Sequence, residues 1–378
     1  MANSLSFKII SLLIIGLVAS LGSVVILNMN ENPTSNTDNF ITQNPLPYKI
    51  ITFNNSEFTY SQFESNIKYP GVDRDGIPPI EHPKYITGTD ASTYLTHSKI
   101  VFGLIYGDNV IAYPRYILML HEIVNDYLNG NNVSITYCPL TGTAIGYVGH
   151  IALAISTFGV SGTLLNDNLV MYDRNSSSFW PQIMGEAING TQMGYKLERF
   201  QLFWTTWGQW YALHPETKVL SEDTGYHLPY NEDFLGSYYS NDSYYHADGV
   251  FLPTMTNNSI LRNKTVVYAT SLGNNHLAIE KSLLKEKKVL NIYMYNQHIA
   301  VFYDEGLDTA RIYKGSLNGI NYEFKYVNGS FIDVNTDTTW SIEGVSTSGS
   351  LEPIVYFDSM WFGWYNFHPD TSLIIAKN

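Results

Sequence analysis

Cys138 is the only cysteine in the chain, and the stretch around it, Tyr113 to Tyr147, holds the densest set of side chains able to do chemistry: His121, Glu122, Asp126 and Cys138 itself. A thiolate is both a nucleophile and a soft metal ligand. Joined to imidazole it suits copper or zinc, so Cys138 and His121, with His150 or His214 added, form a candidate metal set. The second chemistry open to these residues makes Cys138 a nucleophile, His121 its base, and Glu122 or Asp126 the group that orients the base. His121-Glu122 begins like the helix of a zinc protease, but the fourth residue on is Asn125, where that motif needs a second histidine. Against all of these stands the plain role of a lone cysteine as a small buried hydrophobe.

Two further groups carry polar chemistry. Asp173-Arg174, followed by Ser177 and Trp180, can floor a pocket in which Arg174 holds an anion, or can form a turn after a strand. His214 and His368 each follow an aromatic run and precede proline, a context that favours packing against tryptophan.

Such residues work only if regular elements position them. Ile117, Leu118, Leu120, Ile123, Val124 and Tyr127/Leu128 recur at helical spacing, which predicts an amphipathic helix over 117–128 carrying His121, Glu122 and Asp126. Gly130 would end it. Val133 to Tyr137 reads as a strand that delivers Cys138 to a turn fixed by Pro139 and Gly142. Further strands are expected at 48–53, 100–106, 110–113, 144–148, 153–158, 169–172 and 201–204, and helices at 205–213, 279–285 and 359–367. The pattern describes an α+β protein dominated by antiparallel sheet.

An internal repeat runs through it. Trp207 to Thr217 (WGQWYALHPET) returns as Trp361 to Thr371 (WFGWYNFHPDT), each preceded by another tryptophan, Trp180 and Trp340. IVFGLIYGDNVIAYP likewise pairs with VVYATSLGNNHLAIE. This organisation predicts two tandem β-rich units, over 48–245 and 246–378, with the candidate site in the first and a degenerate second unit that closes or covers it.

Composition narrows the compartment and the partners. Lys8 precedes an uncharged apolar run from Ile9 to Leu27, close to the ~20 residues that cross a bilayer. Residues 1–30 are therefore expected to be a signal anchor or signal peptide, followed by a polar linker over 31–47, with the bulk of the chain outside the cytoplasm. A net charge of −13 leaves no basic surface for nucleic acid. The partner is then a small molecule, a metal or a protein. A single cysteine excludes any intrachain disulfide.

The segments GIPPIEHPKYITGTDAS, IAYPRYILMLHEIVND, SITYCPLTGTAIGY, FGVSGTLLNDNLVMYDRNSSSFWPQIMGEAING, TWGQWYALHPETKVL and WFGWYNFHPDT resemble the family catalogued as domain of unknown function 3179. The resemblance runs from about Gly76 to Thr371. It implies an exported or membrane-anchored bacterial or archaeal protein, of a family with no established activity. Many members have a second cysteine where this chain has Thr141, so a CxxC redox couple is not expected here. The expected function is a copper, zinc or thiol-redox site centred on Cys138 and His121. The alternative is a non-catalytic envelope module that holds a glycan, peptide or protein.

Overall fold

The computed structural model describes residues 46–151, 154–230, 232–238 and 240–377. The apolar run at 9–27 lies outside them, and no helix among the described residues is long and apolar enough to cross a membrane.

The chain enters through β1 (Tyr48–Thr52) and β2 (Tyr85–Thr87). A hairpin of β3 (Ile100–Tyr106) and β4 (Asn109–Pro114) leads into helix α1 (Arg115–His121) and a meander of β5 (Ile123–Leu128), β6 (Asn131–Cys138) and β7 (Thr143–Val148). A second meander, β8 (Phe158–Leu165), β9 (Asn168–Asp173) and β10 (Phe179–Pro181), returns the chain to β11 (Phe203–Thr206), helix α2 (Trp207–Leu213) and β12 (Lys218–Leu220). The same order then recurs. Hairpin β13 (Val266–Leu272) and β14 (Asn275–Glu280) precedes α3 (Lys281–Lys287) and the meander β15 (Val289–Met294), β16 (Gln297–Asp304) and β17 (Thr309–Lys314). The meander β18 (Phe324–Val327), β19 (Ser330–Asp333) and β20 (Thr339–Trp340) leads to β21 (Phe357–Met360), α4 (Trp361–Phe367) and β22 (Ser372–Ala376).

Two five-stranded sheets result, in the orders β11-β3-β4-β12-β2 and β21-β13-β14-β22-β1. In each, the strand after the tryptophan helix runs parallel to the second strand of the hairpin, and every other pairing is antiparallel. A parallel partner requires a crossover, which the tryptophan helix supplies. β1 completes the sheet of the second unit, although it lies at the N-terminal end of the described chain. The largest core cluster joins Phe158 and Trp180 of the first unit to Phe357, Trp361 and Trp364 of the second. The two units share an interior.

The crossover is locked in the same way twice. The Trp210 indole N–H donates to Thr217 Oγ1 at 2.9 Å, and the Trp364 indole N–H donates to Thr371 Oγ1 at 2.9 Å. The histidines that end the two helices adopt matching backbones, φ −132 and ψ 67 at His214 against φ −131 and ψ 70 at His368. Each packs its ring on the preceding tryptophan, with centroids 4.3 and 4.2 Å apart.

The α+β, antiparallel reading holds, but one element is corrected. The helix expected over 117–128 stops at His121, and β5 follows it. Glu122, with φ 57, reverses the chain, and Asn129-Gly130, with φ 48 and 81, closes a two-residue hairpin between β5 and β6. Positive φ at both turn residues is the signature of a hairpin turn that matches strand twist. The Gly130 expected to end a helix is half of that turn. The strand expected over 153–158 is also displaced: only Ala154–Ile155 is a strand there, and β8 begins at Phe158 and runs on to Leu165. The helix expected from Ile279 begins at Lys281 because Ile279 still belongs to β14.

Removing the locking hydroxyl leaves a buried indole N–H without an acceptor. Thr217→Val and Thr371→Val should each cost about 1–3 kcal/mol in denaturant unfolding, with similar losses in the two units.

Candidate functional site

Cys138 ends β6 and is fully buried. Its Sγ donates to the Asp167 carbonyl at 3.5 Å and accepts the Leu169 N–H at 3.4 Å. Thr141 lies close to the sulfur and works against the effect of burial on the thiol. A buried polar web backs it: Thr141 and Thr143 hydroxyls 2.9 Å apart, Asn168 Nδ2 donating to Thr141 Oγ1 at 3.0 Å, and Gln182 Nε2 donating to Thr136 Oγ1 at 3.0 Å. Burial pushes the thiol up to about 11, with the nearby Glu122 carboxylate adding to the shift. The sulfur is held as the neutral thiol.

Glu122 is the neighbour that matters. Its carbonyl accepts the Tyr137 N–H at 2.7 Å, which fixes it across the strand from the Tyr137-Cys138 pair. Burial alone pushes its carboxyl up to about 8. The unusual backbone belongs to the scaffold, since Lys288 ends α3 with φ 67 in the matching place. An acid at that position is particular to the first unit.

Arg115, at the start of α1, was not among the expected site residues. It is buried, donates to Tyr245 Oη at 2.8 Å and pairs with Asp233 at 2.7 Å, and the Tyr137 hydroxyl lies beside it. Its charge was visible in the sequence, but its burial depends on residues more than a hundred positions away.

The remaining expected residues do not converge on Cys138. His121 is buried with both ring nitrogens occupied, Nδ1 by the Pro78 carbonyl at 2.6 Å and Nε2 by the Tyr230 hydroxyl at 2.7 Å. Burial lowers it to about 4, so the ring is neutral: Nδ1–H donates to Pro78 and Nε2 accepts from Tyr230. It latches two loops. Asp126 accepts from Tyr85 Oη at 2.5 Å and from the Tyr127 N–H at 2.8 Å. His150 is exposed on a two-residue strand, and His214 lies on Trp210, 3.6 Å from Glu216. Asp173 builds a turn, accepting from Ser176 N and Oγ at 2.6 Å and from Trp180 Nε1 at 3.1 Å. Asp333 does the same for Thr336 in the second unit, at 2.8 and 2.6 Å. Arg174 bridges Asp75 at 3.1 Å and Glu81 at 2.6 Å, partly open to solvent. Among the described residues, the one group of His, Asp and Glu with ligand atoms within 4.8 Å of each other is Glu57, His276 and Asp370, outside the four residues expected to bind metal.

The segment 221–265, between β12 and β13, covers this region. Tyr230 reaches His121, Asp233 and Tyr245 hold Arg115, and the Tyr244 hydroxyl donates to the Leu140 carbonyl at 2.9 Å. The N–H groups of Phe251 and Leu252 donate to the Asp167 carboxylate at 2.6 and 2.8 Å. Long irregular segments in compact domains are commonly lids or binding loops.

Strand register aligns Cys138 with Asp304, and the matching helices align Arg115 with Lys281 and Glu122 with Lys288. The second unit pairs its charges: Lys281 with Asp358 at 3.0 Å, Lys288 with Glu305 at 2.6 Å, and Arg311 with Asp304 at 3.0 Å. The first unit keeps an ion pair at the position of Lys281, Arg115 with Asp233, but has a buried acid and a thiol at the positions of Lys288 and Asp304. Fold and site together define a strand-rich protein of two topologically matched units with a buried thiol and carboxyl in one of them.

Residues 74–371 match the family described as protein of unknown function (DUF3179), and the chain belongs to that family. No curated protein and no solved structure matches the chain.

The raised Glu122 carboxyl ties stability to pH. Its folded value lies above the unfolded one, so the native state keeps its proton longer, and stability is full below about 4.5 and is lost as pH rises through about 8. Chemical denaturation at stepped pH should show wild type losing up to about 1.4 kcal/mol per pH unit relative to Glu122→Gln across that window. Parallel curves for the two proteins would contradict the assignment.

Proposed function

We propose that the first unit is a covered thiol site in which Cys138 reacts, Glu122 accepts its proton, and Arg115 with Tyr137 and Tyr245 holds a polar part of the substrate. The observation that carries this reading is the burial of the Glu122 carboxyl next to the only thiol, where the matched unit has charges in ion pairs. With one cysteine, the redox step is exchange with an external disulfide. The step runs from the ionised form of Glu122, reached as pH rises through about 8: its carboxylate takes the thiol proton, the Cys138 thiolate attacks one sulfur of the partner disulfide, the S–S bond breaks, and the leaving thiolate takes that proton back from Glu122. The result is a mixed disulfide and a free thiol, with Glu122 returned to its starting state. Because Sγ is buried, the cover at 221–265 must open first.

A copper or zinc ion on Cys138 and His121 is the less favoured form, because both nitrogens of His121 are already bonded. The non-catalytic module remains a second reading, favoured by the tyrosines of the cover, of which Tyr230, Tyr244 and Tyr245 all engage the first unit. We further propose that the matched sheets arose by duplication and that the 9–27 run anchors the protein with its bulk outside the cytoplasm.

The full chain should form a mixed disulfide at Cys138 with a small disulfide such as oxidised glutathione, read by intact mass. Glu122→Gln should slow it about 10-fold or more. Asp233→Asn, which loosens the cover from Arg115, should speed labelling of Cys138 by a small alkylating reagent at unchanged pH. Modification of Cys138 only at the rate of global unfolding, in wild type and Asp233→Asn alike, would overturn the proposal and leave the binding module.

A further inference from the structure

The second unit contains a polar corner that its matched unit lacks. His368, at the end of α4, stacks on His276 of β14 with ring centroids 3.7 Å apart. His276 Nδ1 lies 2.9 Å from Ser271 Oγ, and its Nε2 lies 3.5 Å from Glu57 Oε1. Asp370, two residues beyond His368, brings a third ligand atom to the group, and the atoms offered by Glu57, His276 and Asp370 all lie within 4.8 Å of one another. Two buried atoms at this corner, His368 Nε2 and Asp370 Oδ1, have no hydrogen-bond partner. Buried polar atoms are nearly always paired, and two unpaired ones at a single corner call for a partner such as an ion or water.

The fold does not require this set. Strand register places Val110 of β4 where His276 stands in β14, since Ile105 opposes Val110 as Ser271 opposes His276. His214 and Glu216 hold the positions of His368 and Asp370 in the first unit, where the histidine lies on its tryptophan without a second imidazole. Glu57 reaches the corner from the segment that follows β1, the strand that completes this sheet. The second unit has therefore added an imidazole and a carboxylate to a corner that a valine serves in the other.

We propose that Glu57, His276 and Asp370 form a binding site for a divalent transition-metal ion of the zinc class, with the His368 imidazole beside it. Imidazole nitrogen with carboxylate oxygen is a donor set that zinc accepts readily. The nearby cations are already engaged. Arg199 donates to the Ile183 and Met184 carbonyls at 2.6 Å, and Lys196 lies 3.4 Å from Glu186. The two carboxylates of the site offset their field. This site shares no residue with the thiol proposal and stands without it.

The test is titration of chelator-stripped full-length protein with zinc alone, followed by calorimetry and by thermal melting, with cobalt as a spectroscopic substitute. Wild type should bind one equivalent per chain, and zinc should raise its melting temperature. Glu57→Gln and Asp370→Asn should each weaken binding at least about 10-fold. His276→Val, which installs the first unit's residue, should abolish binding while the metal-free protein still melts cooperatively. Cys138→Ser should bind as wild type, with no sulfur-to-cobalt charge-transfer band in either protein, which separates this result from the thiol proposal. Absence of stoichiometric binding by wild type, or binding that survives both Glu57→Gln and Asp370→Asn, would overturn the assignment. Glu57 is exposed, so its variant tests the site even if His276→Val fails to fold.

Discussion

A buried indole N–H must have an acceptor, and this structure meets that demand with one device used twice: tryptophan in a crossover helix bonded to a threonine hydroxyl at the start of the strand that follows. The bond from Trp210 to Thr217 ties α2 to β12, and the bond from Trp364 to Thr371 ties α4 to β22. Each tie fixes the one parallel pairing in its sheet. With that pairing set, the hairpin, the short helix and the meander of each unit take up equivalent places, and the helix end comes to lie across from the end of the second meander strand. That relation brings Glu122 to Cys138 in one unit and Lys288 to the neighbourhood of Asp304 in the other.

What differs between the units is how they handle charge removed from water. An isolated ionised carboxylate in an interior is costly, so it must be paired or give up its charge. The second unit pairs, through Arg311 with Asp304 and Lys281 with Asp358. The first unit gives up the charge at Glu122, whose carboxyl burial pushes up to about 8, and at Cys138, held as the thiol. On the proposed reading, once Glu122 ionises its carboxylate can take the proton of the nearby Cys138 thiol, so that one negative charge moves between the two groups and no second charge is created. The second unit carries its own departure from simple packing at the opposite corner, where His276 replaces a valine.

Much of the fold was legible in residue patterns because it rests on local chemistry. The repeated tryptophan-histidine-proline segments mark the two crossovers, and alternation marks the hairpins. The helix over 117–128 misled because Ile123, Val124 and Leu128 fit helical spacing as well as they fit a strand. Asn129-Gly130, a hairpin turn pair, carried the better signal. The site was legible in part. Within the chemistry-bearing stretch the backbone sets Glu122 across from Tyr137-Cys138, a pairing the expected helix did not include, whereas His121, the expected partner, spends both nitrogens on Pro78 and Tyr230. Arg115 and the group of Glu57, His276 and Asp370 depend on contacts between distant segments, which spacing along one chain does not encode. The substitution of histidine for valine between aligned hairpins was the signal that could have found His276.

The central claim is that Glu122 and Cys138 form one proton-sharing pair. Infrared difference spectroscopy of wild type against Glu122→Gln, taken across the neutral to alkaline range, tests it directly because the chain has a single thiol. The account predicts a protonated carboxylic acid at neutral pH that ionises near 8, and an S–H stretching band that shifts in the same step. A Glu122 carboxyl that ionises in the ordinary carboxylate range, with an S–H band unmoved by its titration, would contradict it.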